Sequence, residues 1–578
     1  MAQPDMNQLG PVVLTDCARQ SGGRPAAFWA LRVCVALTFI AGLSAGSADG
    51  QTATTDSILP WLIPVPGSRA EGYVRSLEVA GLTRARSIAV RDGFEQWVEG
   101  VAGEPLEPGP WRDVYRTVPS NSSRWGVLPA RMTSVYNSAF PYQRGGGPVW
   151  YGRGFTHVVE VGTHVRWGPL RAVFNPLLFR AGNASFELAP TGGSEGDLPL
   201  RSPLAPTRLD NPQRFGWGPY RGLGLGVAAL RLDALGLSLG LSSAPQKWGP
   251  GDLHPMVLGD AAGGVPHVLI GTQRPVSVLI GSLSARYMAG RTTQSEWFEQ
   301  EEAAPKRLLN GFVISLQPRG LAGLEVGATR LFHSEWPEGR AEMKTLLLRP
   351  FEGFLKGDLS GVDQRIDEQY ASLFFRWLVP SSGWEVLGEY MRVDHSWDGR
   401  LAVLEPDDQS AYMLGFRRVW GRDRERLTAL RAEAIVSGST HRERGGARVD
   451  AAYRSRPVYW DARRIGGLTH RGLLLTTTAG AYANAQSLGL DRYSTRGRWT
   501  VELDRSVVRD QTLGVLPDEP AGPDVLYALT GELSRFVGAW DLEVSSSWVL
   551  NLNRYLAEDA SSVRFRLMVS RRFVRPSP

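Results

Sequence analysis

Cysteine is almost absent from this 578-residue sequence, and its two cysteines, Cys17 and Cys34, both lie in the first 50 residues. If that segment is removed on export, the rest of the chain has no disulfide, no thiol nucleophile and no cysteine ligand for zinc. A large exported protein without disulfides must be stabilised in another way. A closed, hydrogen-bonded β-barrel is one solution.

The first 50 residues have the pattern of an export signal. Arg19, Arg24 and Arg32 precede the apolar run VCVALTFIAGLSAG (33–46), and the small residues SADGQTA (47–53) follow it. A basic region, a short apolar core and a small-residue cleavage zone predict a secretory signal peptide over 1–50. An uncleaved membrane anchor is the alternative, but the run is shorter than the roughly 20 apolar residues of a spanning helix.

Lysine is the second scarce residue. Four of the 64 basic residues are lysine (247, 306, 344 and 356), which leaves 60 arginines. The formal net charge is +6, and the arginines are spread along the chain rather than gathered in a block. This distribution argues against a nucleic-acid partner. The guanidinium fork suits carboxylates and phosphates, although a general bias towards arginine explains most of the excess more simply.

Catalytic signatures are missing as well. After residue 50 there is no P-loop, no HExxH and no dinucleotide-binding fingerprint. His254 and His267 lie thirteen residues apart in a stretch rich in Gly and Pro, which is not the spacing of a metal site. We therefore predict no catalytic residues, no metal, no cofactor and no enzymatic activity.

Helical periodicity appears soon after the signal. SRAEGYVRSLEVAGL (68–82) begins with Ser68 and Glu71 at capping-box spacing and continues with apolar residues on one face. We expect an N-terminal helical, periplasmic segment over 51–135. Two later stretches predict further short helices: DGFEQWVEGVAG (92–103), which starts at Asp92, and PWRDVYRTV (110–118).

From about residue 150 the apolar residues recur at every second position. In the last such segment one face carries Val563, Phe565, Leu567, Val569 and Phe573, and the other carries Arg564, Arg566, Ser570 and Arg572. Arginine opposite an apolar face fits a strand with lipid on one side and water on the other. Aromatic residues near strand ends fit interfacial girdles, among them Trp167, Trp540 and Trp548. A soluble β-sandwich or propeller, whose strands also alternate, is the alternative.

The length of the alternating region bounds the size of a barrel. Membrane strands with their turns and loops use roughly 22–26 residues each, so residues 150–573 hold on the order of 16–20 strands. We place this transmembrane β-barrel at 136–578. A barrel of that width encloses an aqueous lumen unless the N-terminal helices or irregular stretches fill it.

Aromatic rings and arginines in loops are residues with which proteins bind sugars. Flat rings cover the C–H faces, and arginine can bind the carboxylates of uronic acids in a bidentate manner. Each tryptophan can equally be a girdle or lumen-packing residue, which is its commoner use in barrels. The carbohydrate-binding candidates are Trp248, His254, Arg274, Trp297, Trp336 and Trp397.

Four segments together resemble the Wzi capsule-assembly family of outer-membrane proteins from capsulated bacteria. They are FPYQRGGGPVWYGRG (140–154), KWGPG (247–251) with HPMVLGDAAGGVPHVLIGTQRP (254–275), WEVLGEYMRVD (384–394), and LTHRGLLL (468–475) with Gln486. The matched signature residues are Gly249, Pro250, Gly251, His267, Glu389, Asp394, His470 and Gln486. The chain departs from the family pattern at Gly145–Gly147, usually Asn-Asp-Gly, and at Ala479–Ala481, usually Gly-Pro-Gly.

The resemblance implies an all-β fold, an outer-membrane β-barrel of about 18 antiparallel strands with a short periplasmic helical region. It also implies a lectin-like role, in which the protein binds capsular or other extracellular polysaccharide and helps to attach or organise the capsule. Outer-membrane lipids and the barrel-assembly machinery are the other expected partners, and a monomer is expected. A porin or export channel for polysaccharide or small solutes is the alternative.

Two charged or irregular stretches carry expectations of their own. QKWGPGDLHPMVLGDAAGGVPHVLIGTQRP (246–275) lies between alternating segments, so we predict an insert packed in the lumen or at a barrel mouth. We favour structural packing of this insert, held by Trp248, His254, His267 and Arg274, over direct ligand contact. EYMRVDHSWD (389–398) predicts a lumen-facing ion-pair ladder that runs into a loop.

Overall fold

Eighteen antiparallel strands form a closed barrel in the computed structural model of the chain. The described residues belong to one compact unit, Asp56–Pro578. The expectations for 1–50, for Asp394 and Trp397, and for most of 92–103 lie outside them. The structure describes residues 65–92, 109–115, 124–144, 147–191, 199–298, 305–353, 367–379, 381–393, 399–404, 406, 409–421, 425–437, 458–460, 465–509 and 523–572.

The strands follow one another round the barrel in chain order, and the last pairs with the first, with Arg564 opposite Asn137. The barrel begins at Arg124, before the predicted boundary at 136, because residues 124–137 pair with the second and last strands. The bounds are β1 Arg124–Val127 with Ala130–Asn137, β2 Gly154–Glu160 with Thr163–Trp167, β3 Leu170–Ala181, β4 Tyr220–Ala234, β5 Leu237–Ser242, β6 His267–Thr272 with Val276–Val278, β7 Gly281–Thr293, β8 Lys306–Pro318, β9 Leu324–Glu335, β10 Asp367–Val379, β11 Trp384–Val393, β12 Ser410–Trp420, β13 Arg426–Ser437, β14 Ala485–Ser494, β15 Gly497–Arg509, β16 Asp524–Val537, β17 Trp540–Leu552 and β18 Ala560–Arg571.

One end of the barrel has short turns and the other has long loops. At the short-turn end, Leu235 and Gly236 join β4 to β5 with φ values of 54° and 79°, the paired positive φ of a tight hairpin turn. At the other end, residues 182–219 and 336–366 connect β3 to β4 and β9 to β10. In outer-membrane barrels the short turns face the periplasm and the long loops face the exterior.

The outer surface is apolar and ends in a belt of tryptophan. On β18, Phe565 and Leu567 are about half exposed, whereas Arg564 is buried on the opposite, inward face, as the alternation predicts. A belt of this kind marks the membrane interface of a transmembrane barrel. The exposed tryptophans at the short-turn end are Trp125, Trp167, Trp377, Trp384, Trp420, Trp499 and Trp540.

The first helix lies inside the barrel. Helix α1 spans Arg69–Val79, and the hydroxyl of Ser68 accepts a hydrogen bond from the N–H of Glu71 at 3.2 Å, so the predicted cap is confirmed. The helix fills the lumen at the short-turn end, where we had expected a periplasmic segment. Its buried side chains Tyr73, Val74 and Leu77 pack in one cluster with Val419, Leu427 and Tyr493 of the wall.

The other two predicted helices differ from the structure. Asp92 ends a short strand, Val90–Asp92, which pairs with Gln246–Trp248, and its carboxylate binds Arg286 of the wall. These two contacts replace the helical cap that we predicted for Asp92. Residues 110–115 form turns, in which the N–H groups of Val114 and Tyr115 donate to the carbonyl oxygen of Trp111.

A second helix, α2 (Arg340–Leu348), packs on the outer wall near the long-loop end. The turn that follows it places Phe351 on the ring of Phe312, at a centroid distance of 5.4 Å. Phe312 shares its face of β8 with Ile314, which is exposed on the lipid side. Helix α3 (Gly399–Leu404) lies between β11 and β12. Among the described residues, no helix is both long and apolar enough to cross a membrane.

Two loops fill part of the lumen. The plug, residues 243–266 between β5 and β6, and the second lumen loop, residues 465–484 before β14, carry apolar side chains into the interior. The plug therefore packs against the inner face of β7–β13, as expected for an insert that packs inside. The cluster includes Trp248, Met256 and Leu258 of the plug, Leu468 and Leu475 of the second lumen loop, and Val313, Leu331 and Met413 of the wall.

Candidate functional site

The Trp-Gly-Pro-Gly turn is buried at the centre of the plug. The indole N–H of Trp248 donates to Oε1 of Gln246 at 2.9 Å, and the Gln246 amide donates to Nε2 of His267 at 2.7 Å. Nδ1 of His267 donates in turn to the carbonyl oxygen of Val265 at 2.8 Å. Trp248 is 0% exposed, so in this arrangement it anchors the plug and presents no ring face to a sugar.

Glu433 of β13 holds the backbone that follows this turn. One of its carboxylate oxygens accepts the N–H of Asp252 at 2.7 Å, and the other accepts the N–H groups of Leu253 at 2.8 Å and His254 at 3.0 Å. Hydrogen bonds to an ionised carboxylate are stronger than those between neutral groups. A single wall residue thus satisfies three plug amides and fixes the position of the turn.

Helix α1 holds the same turn from the other side. Arg75 donates to the carbonyl oxygen of Pro250 at 3.2 Å, and Asp252 binds Arg417 of β12 at 2.6 Å. Burial by itself would raise the pKa of the Asp252 carboxyl, but the guanidinium groups of Arg75 and Arg417 hold that pKa well below its usual range. Asp252 therefore stays ionised and ties the helix, the plug and the wall together.

His254 lies between the plug, the second lumen loop and β14. Its Nδ1 is 3.1 Å from the Thr477 hydroxyl and its Nε2 is 3.0 Å from the Ser487 hydroxyl. Because Ser487 donates its own proton to Asp504 at 2.6 Å, it accepts from Nε2 of His254, which assigns the proton of the ring to that nitrogen. Burial lowers the pKa of His254 below its ordinary value, which favours the neutral ring.

Arginine and carboxylate side chains alternate along the polar half of the lumen. Of the ladder predicted at 389–398, residues 394–398 lie outside the described residues; Glu389 itself forms no ion pair with a described residue, and Phe374 and Met413 stand opposite it on the neighbouring strands. A ladder is formed by β13–β18 together with Arg69 of α1, Arg144 of the β1–β2 loop and Arg572 after β18. Its members are, in contact order, Arg572, Asp541, Arg69, Glu543, Arg566, Glu532, Arg498, Asp491, Arg431, Glu502, Arg144 and Asp504.

A cavity of about 520 Å³ lies beside the ladder. Eleven basic and nine acidic side chains line it, so most of its charges are matched within the wall. Its volume falls within the range of about 300–1,000 Å³ that is usual for small-molecule sites. Within the described part of the chain, no group of three or more His, Cys, Asp or Glu side chains could hold a metal ion.

An aromatic–arginine cluster lies at the long-loop end, between β3 and β4. The guanidinium of Arg214 lies 5.0 Å from the ring centroid of Trp217 and 5.5 Å from that of Phe186, and its Nε donates to Asn183 at 2.8 Å. Trp217 is 62% exposed. Close by, Trp297 packs against Phe215 at a centroid distance of 4.6 Å. An exposed indole beside a fixed cation has the geometry needed to stack on a sugar ring.

The barrel has a counterpart among solved structures: Wzi, an outer-membrane protein involved in group 1 capsule assembly in Escherichia coli and a carbohydrate-binding β-barrel. The match has a TM-score of 0.51 and 14% sequence identity, and covers 77% of this chain and 85% of that one. The chain has the fold of Wzi. It is an outer-membrane β-barrel.

Other similar structures have lower TM-scores. OccAB2 from Acinetobacter baumannii has 11% identity and a TM-score of 0.37, and covers 76% of this chain and 97% of that one. A BenF-like porin from Pseudomonas fluorescens has 9% identity and a TM-score of 0.37, and covers 78% and 99%. No protein-family model and no curated sequence matches the chain.

Several of the Wzi-signature residues meet in the plug. Gly249, Pro250 and Gly251 form the buried turn, and the carboxylate of Glu389 on β11 lies against Gly249. His267 is the first residue of β6, directly after the plug, and it is buried as well. These signature residues therefore hold the plug in the lumen, as expected for structural packing of the insert.

The remaining signature histidine, His470, lies in the second lumen loop. Its Nδ1 accepts a hydrogen bond from the N–H of Thr293 at 3.1 Å. Burial and the neighbouring cation Arg471 lower the pKa of His470 to about 3. The ring is therefore neutral at physiological pH and serves as an acceptor that joins the loop to the end of β7.

Gln486 differs from the lumen position that we assigned to it. It alternates on β14 with the buried residues Ala485 and Ser487, so it lies on the outer face. There its Oε1 accepts a hydrogen bond from Arg505 at 2.7 Å. The period of two along a strand decides this placement.

The carbohydrate-binding candidates do not converge on one site. Trp248 and His254 are buried in the plug. The plug ends at residue 266 and β6 begins at His267, so Arg274 belongs to the wall region. It is exposed near the short-turn end. Trp297 and Trp336 lie at the long-loop end, after β7 and β9 respectively.

Sequence reasoning missed Gln246, Glu433, Arg214 and Trp217. The segment RFGWGPY (214–220) has the arginine, tryptophan and glycine of a sugar-binding loop, so a signal for the last two residues was present. Glu433 occupies an inward position of an alternating strand, but its partners at 252–254 are about 180 residues away. No local pattern indicates such a contact.

Proposed function

We propose that the protein binds capsular or other surface polysaccharide at its long-loop end and helps to attach or organise the capsule. The observation that carries this proposal is the Arg214–Trp217 pair. Trp217 is exposed at the long-loop end, and Arg214, which is 5% exposed, lies against its ring and forms no ion pair with any other described residue. The indole can stack on a pyranose ring while the guanidinium binds a uronate carboxylate.

Two further observations support binding over transport or catalysis. Apolar side chains of the plug and the second lumen loop pack against the inner face of β7–β13, which favours a closed barrel. Wzi, whose fold the chain shares, is a carbohydrate-binding barrel. We therefore propose a binding protein rather than an enzyme, one that uses no cofactor.

The test compares cells that carry the wild-type gene, a deletion, and the double variant Trp217→Ala/Arg214→Gln. Polysaccharide retained on the cells and polysaccharide shed into the medium are measured for each strain. We expect the deletion and the double variant to lose retained polysaccharide. With purified protein, binding of an acidic polysaccharide should weaken as ionic strength rises, because salt screens exposed charges.

Trp167→Ala is the matched control, since Trp167 is exposed to a similar degree at the opposite, short-turn end. It should leave retention and binding unchanged. Equal retention in the wild-type and deletion strains, together with no binding of any acidic glycan at low salt, would overturn the proposal.

A channel is the second candidate, and the cavity of about 520 Å³ favours it. Such a channel would pass small charged solutes along the polar half of the lumen. Planar-bilayer recordings decide between the two. A steady conductance that changes in Glu502→Gln supports a channel, and a silent barrel that binds polysaccharide supports the first proposal.

The remaining partners are part of the same proposal. The apolar belt would contact outer-membrane lipids, the barrel-assembly machinery would insert the chain, and the protein would act as a monomer. Sedimentation of the purified protein in detergent tests the last point.

A further inference from the structure

Arg564 is a buried cation without a counterion among the described residues. It is 4% exposed, and its Nε has no hydrogen-bond partner. It lines the cavity beside the ladder. An unpaired buried charge is costly, and a protein retains one only where something else compensates it.

The cross-strand neighbours of Arg564 explain why it is unpaired. Its register partners are Ser547 on β17 and Asn137 on β1, which are both uncharged. The acids of β17, Asp541 and Glu543, occur nearer the short-turn end, where they bind other arginines. Arg564 therefore stands beyond the last carboxylate on its neighbour strand.

Two tyrosines face the same part of the cavity. Tyr142 and Tyr151 belong to the loop between β1 and β2, line the cavity, and interact electrostatically with Arg564. Burial raises the pKa of both hydroxyls, so each remains a proton donor at neutral pH. The hydroxyls form no hydrogen bond with a described residue.

The charges around the site are paired with one another. Arg144 and Arg566 act on Arg564, and both already bind carboxylates of the ladder. Asp504 acts on Tyr142 and Glu160 acts on Tyr151, and these carboxylates bind Arg144 and Arg131 respectively. The guanidinium of Arg564 and the hydroxyls of Tyr142 and Tyr151 are therefore available to bind a group from outside the chain. A planar carboxylate matches the guanidinium in a bidentate manner and accepts from hydroxyls as well.

We propose that Arg564, Tyr142 and Tyr151 form an anion site inside the lumen, and that its ligand is a monovalent carboxylate. Two sources supply this chemistry: a small free carboxylate, or the uronate group of a sugar. None of these three residues belongs to the Arg214–Trp217 pair, so variants of one site can be tested separately from variants of the other.

The experiment uses the full chain in detergent micelles at low ionic strength. Calorimetry measures binding of sodium acetate, sodium glucuronate and, as a neutral sugar, glucose. We expect a carboxylate to bind, glucose not to bind, and Arg564→Gln to weaken binding by about tenfold or more, as expected for loss of a charge-assisted hydrogen bond. Acetate and glucuronate binding equally identifies a small-carboxylate site, and binding of glucuronate alone identifies a uronate site.

Three controls keep the result interpretable. Arg564→Lys keeps the charge and should bind more weakly than wild type but better than Arg564→Gln. Arg571→Gln, next to Trp540 on the outer face, should bind as wild type does. Circular dichroism and heat-modifiable gel mobility report whether each barrel is folded.

The proposal is overturned if folded wild-type protein binds neither carboxylate, or if folded Arg564→Gln binds as tightly as wild type. The first result would mean that Asn137 or water alone compensates the guanidinium. Loss of binding in Tyr142→Phe and Tyr151→Phe, with the fold retained, would support the assigned hydroxyls.

Discussion

Gly249 of the plug lies directly against the carboxylate of Glu389 on β11. A Cβ atom at position 249 would stand 2.8 Å from one oxygen of Glu389 and 3.1 Å from the other. Gly249 also has a φ of 82°, which side chains other than glycine rarely adopt. Two residues that lie far apart in the sequence thus specify one contact between the plug and the wall.

Gly249→Ala should destabilise the packing of the plug against β11 at this contact. The new methyl group would crowd a buried carboxylate in addition to straining the backbone. Gly480→Ala is the matched control, because Gly480 has a φ of 93° and no atom within 4 Å of its would-be Cβ. We expect Gly249→Ala to lower the free energy of unfolding by about 1–3 kcal/mol more than Gly480→Ala, measured by urea titration in detergent. Equal losses would show that Glu389 does not confine this position.

Glu433→Gln should loosen the plug without opening the barrel. The substitution keeps the shape of the side chain but removes the charge that receives the N–H groups of residues 252–254. Hydrogen exchange at these amides should accelerate by about tenfold or more, with the wall strands unchanged. Glu160→Gln, which changes a half-buried wall carboxylate paired with Arg131, is the control and should leave these amides protected.

Arg330→Ala should release helix α2 from the outer wall. Arg330 is buried and donates to the carbonyl oxygens of Pro350 at 3.1 Å and Gly353 at 2.9 Å. Loss of these bonds leaves the carbonyl oxygen of buried Pro350 without this donor, at a cost of about 1–3 kcal/mol. Proteolysis in the 340–353 region should become faster. Lys344→Ala, at an exposed position of α2, should not change it.

Acidification should weaken the packing between the plug and the second lumen loop. Burial lowers the pKa of His254, so the unfolded chain, with a histidine pKa near 6.5, binds the proton more readily than the folded barrel. The contribution of His254 is therefore complete above about pH 6.5 and is lost as pH falls below it. His470, whose pKa is lowered to about 3, changes stability in the same direction.

The measurement is the urea midpoint at pH 7.5 and pH 5.5. Wild type should be less stable at pH 5.5, by up to about 1.4 kcal/mol per pH unit for each buried histidine that stays neutral. His254→Gln should show a smaller difference between the two values. Trp336→Phe, at a site without a titrating group, should keep the full difference. An identical difference in His254→Gln would rule out this histidine as a source of the pH dependence.

The alternation of apolar and polar residues allowed the wall strands to be predicted from the sequence. On β18 it separated Phe565 and Leu567 from Arg564 and Arg566 correctly, because every second side chain of a strand faces the same environment over its whole length. The capping residues Ser68 and Glu71 located helix α1 for a similar reason, since the hydrogen bond of the cap joins residues only three positions apart. The prediction that Asp92 caps a helix was wrong, because contacts with the distant strand Gln246–Trp248 and with Arg286 place Asp92 in a strand.

The sequence by itself determined the barrel: its closed, lipid-facing wall, its approximate strand number and the plug as an interruption of the alternation. The period and composition of the strands predict the barrel because each residue of a strand must suit either the lipid or the aqueous lumen that it faces. Only the tertiary structure decided the contacts inside. Glu433 with the plug amides, Gly249 with Glu389 and the unpaired Arg564 all depend on which strands become neighbours, and no local pattern specifies that.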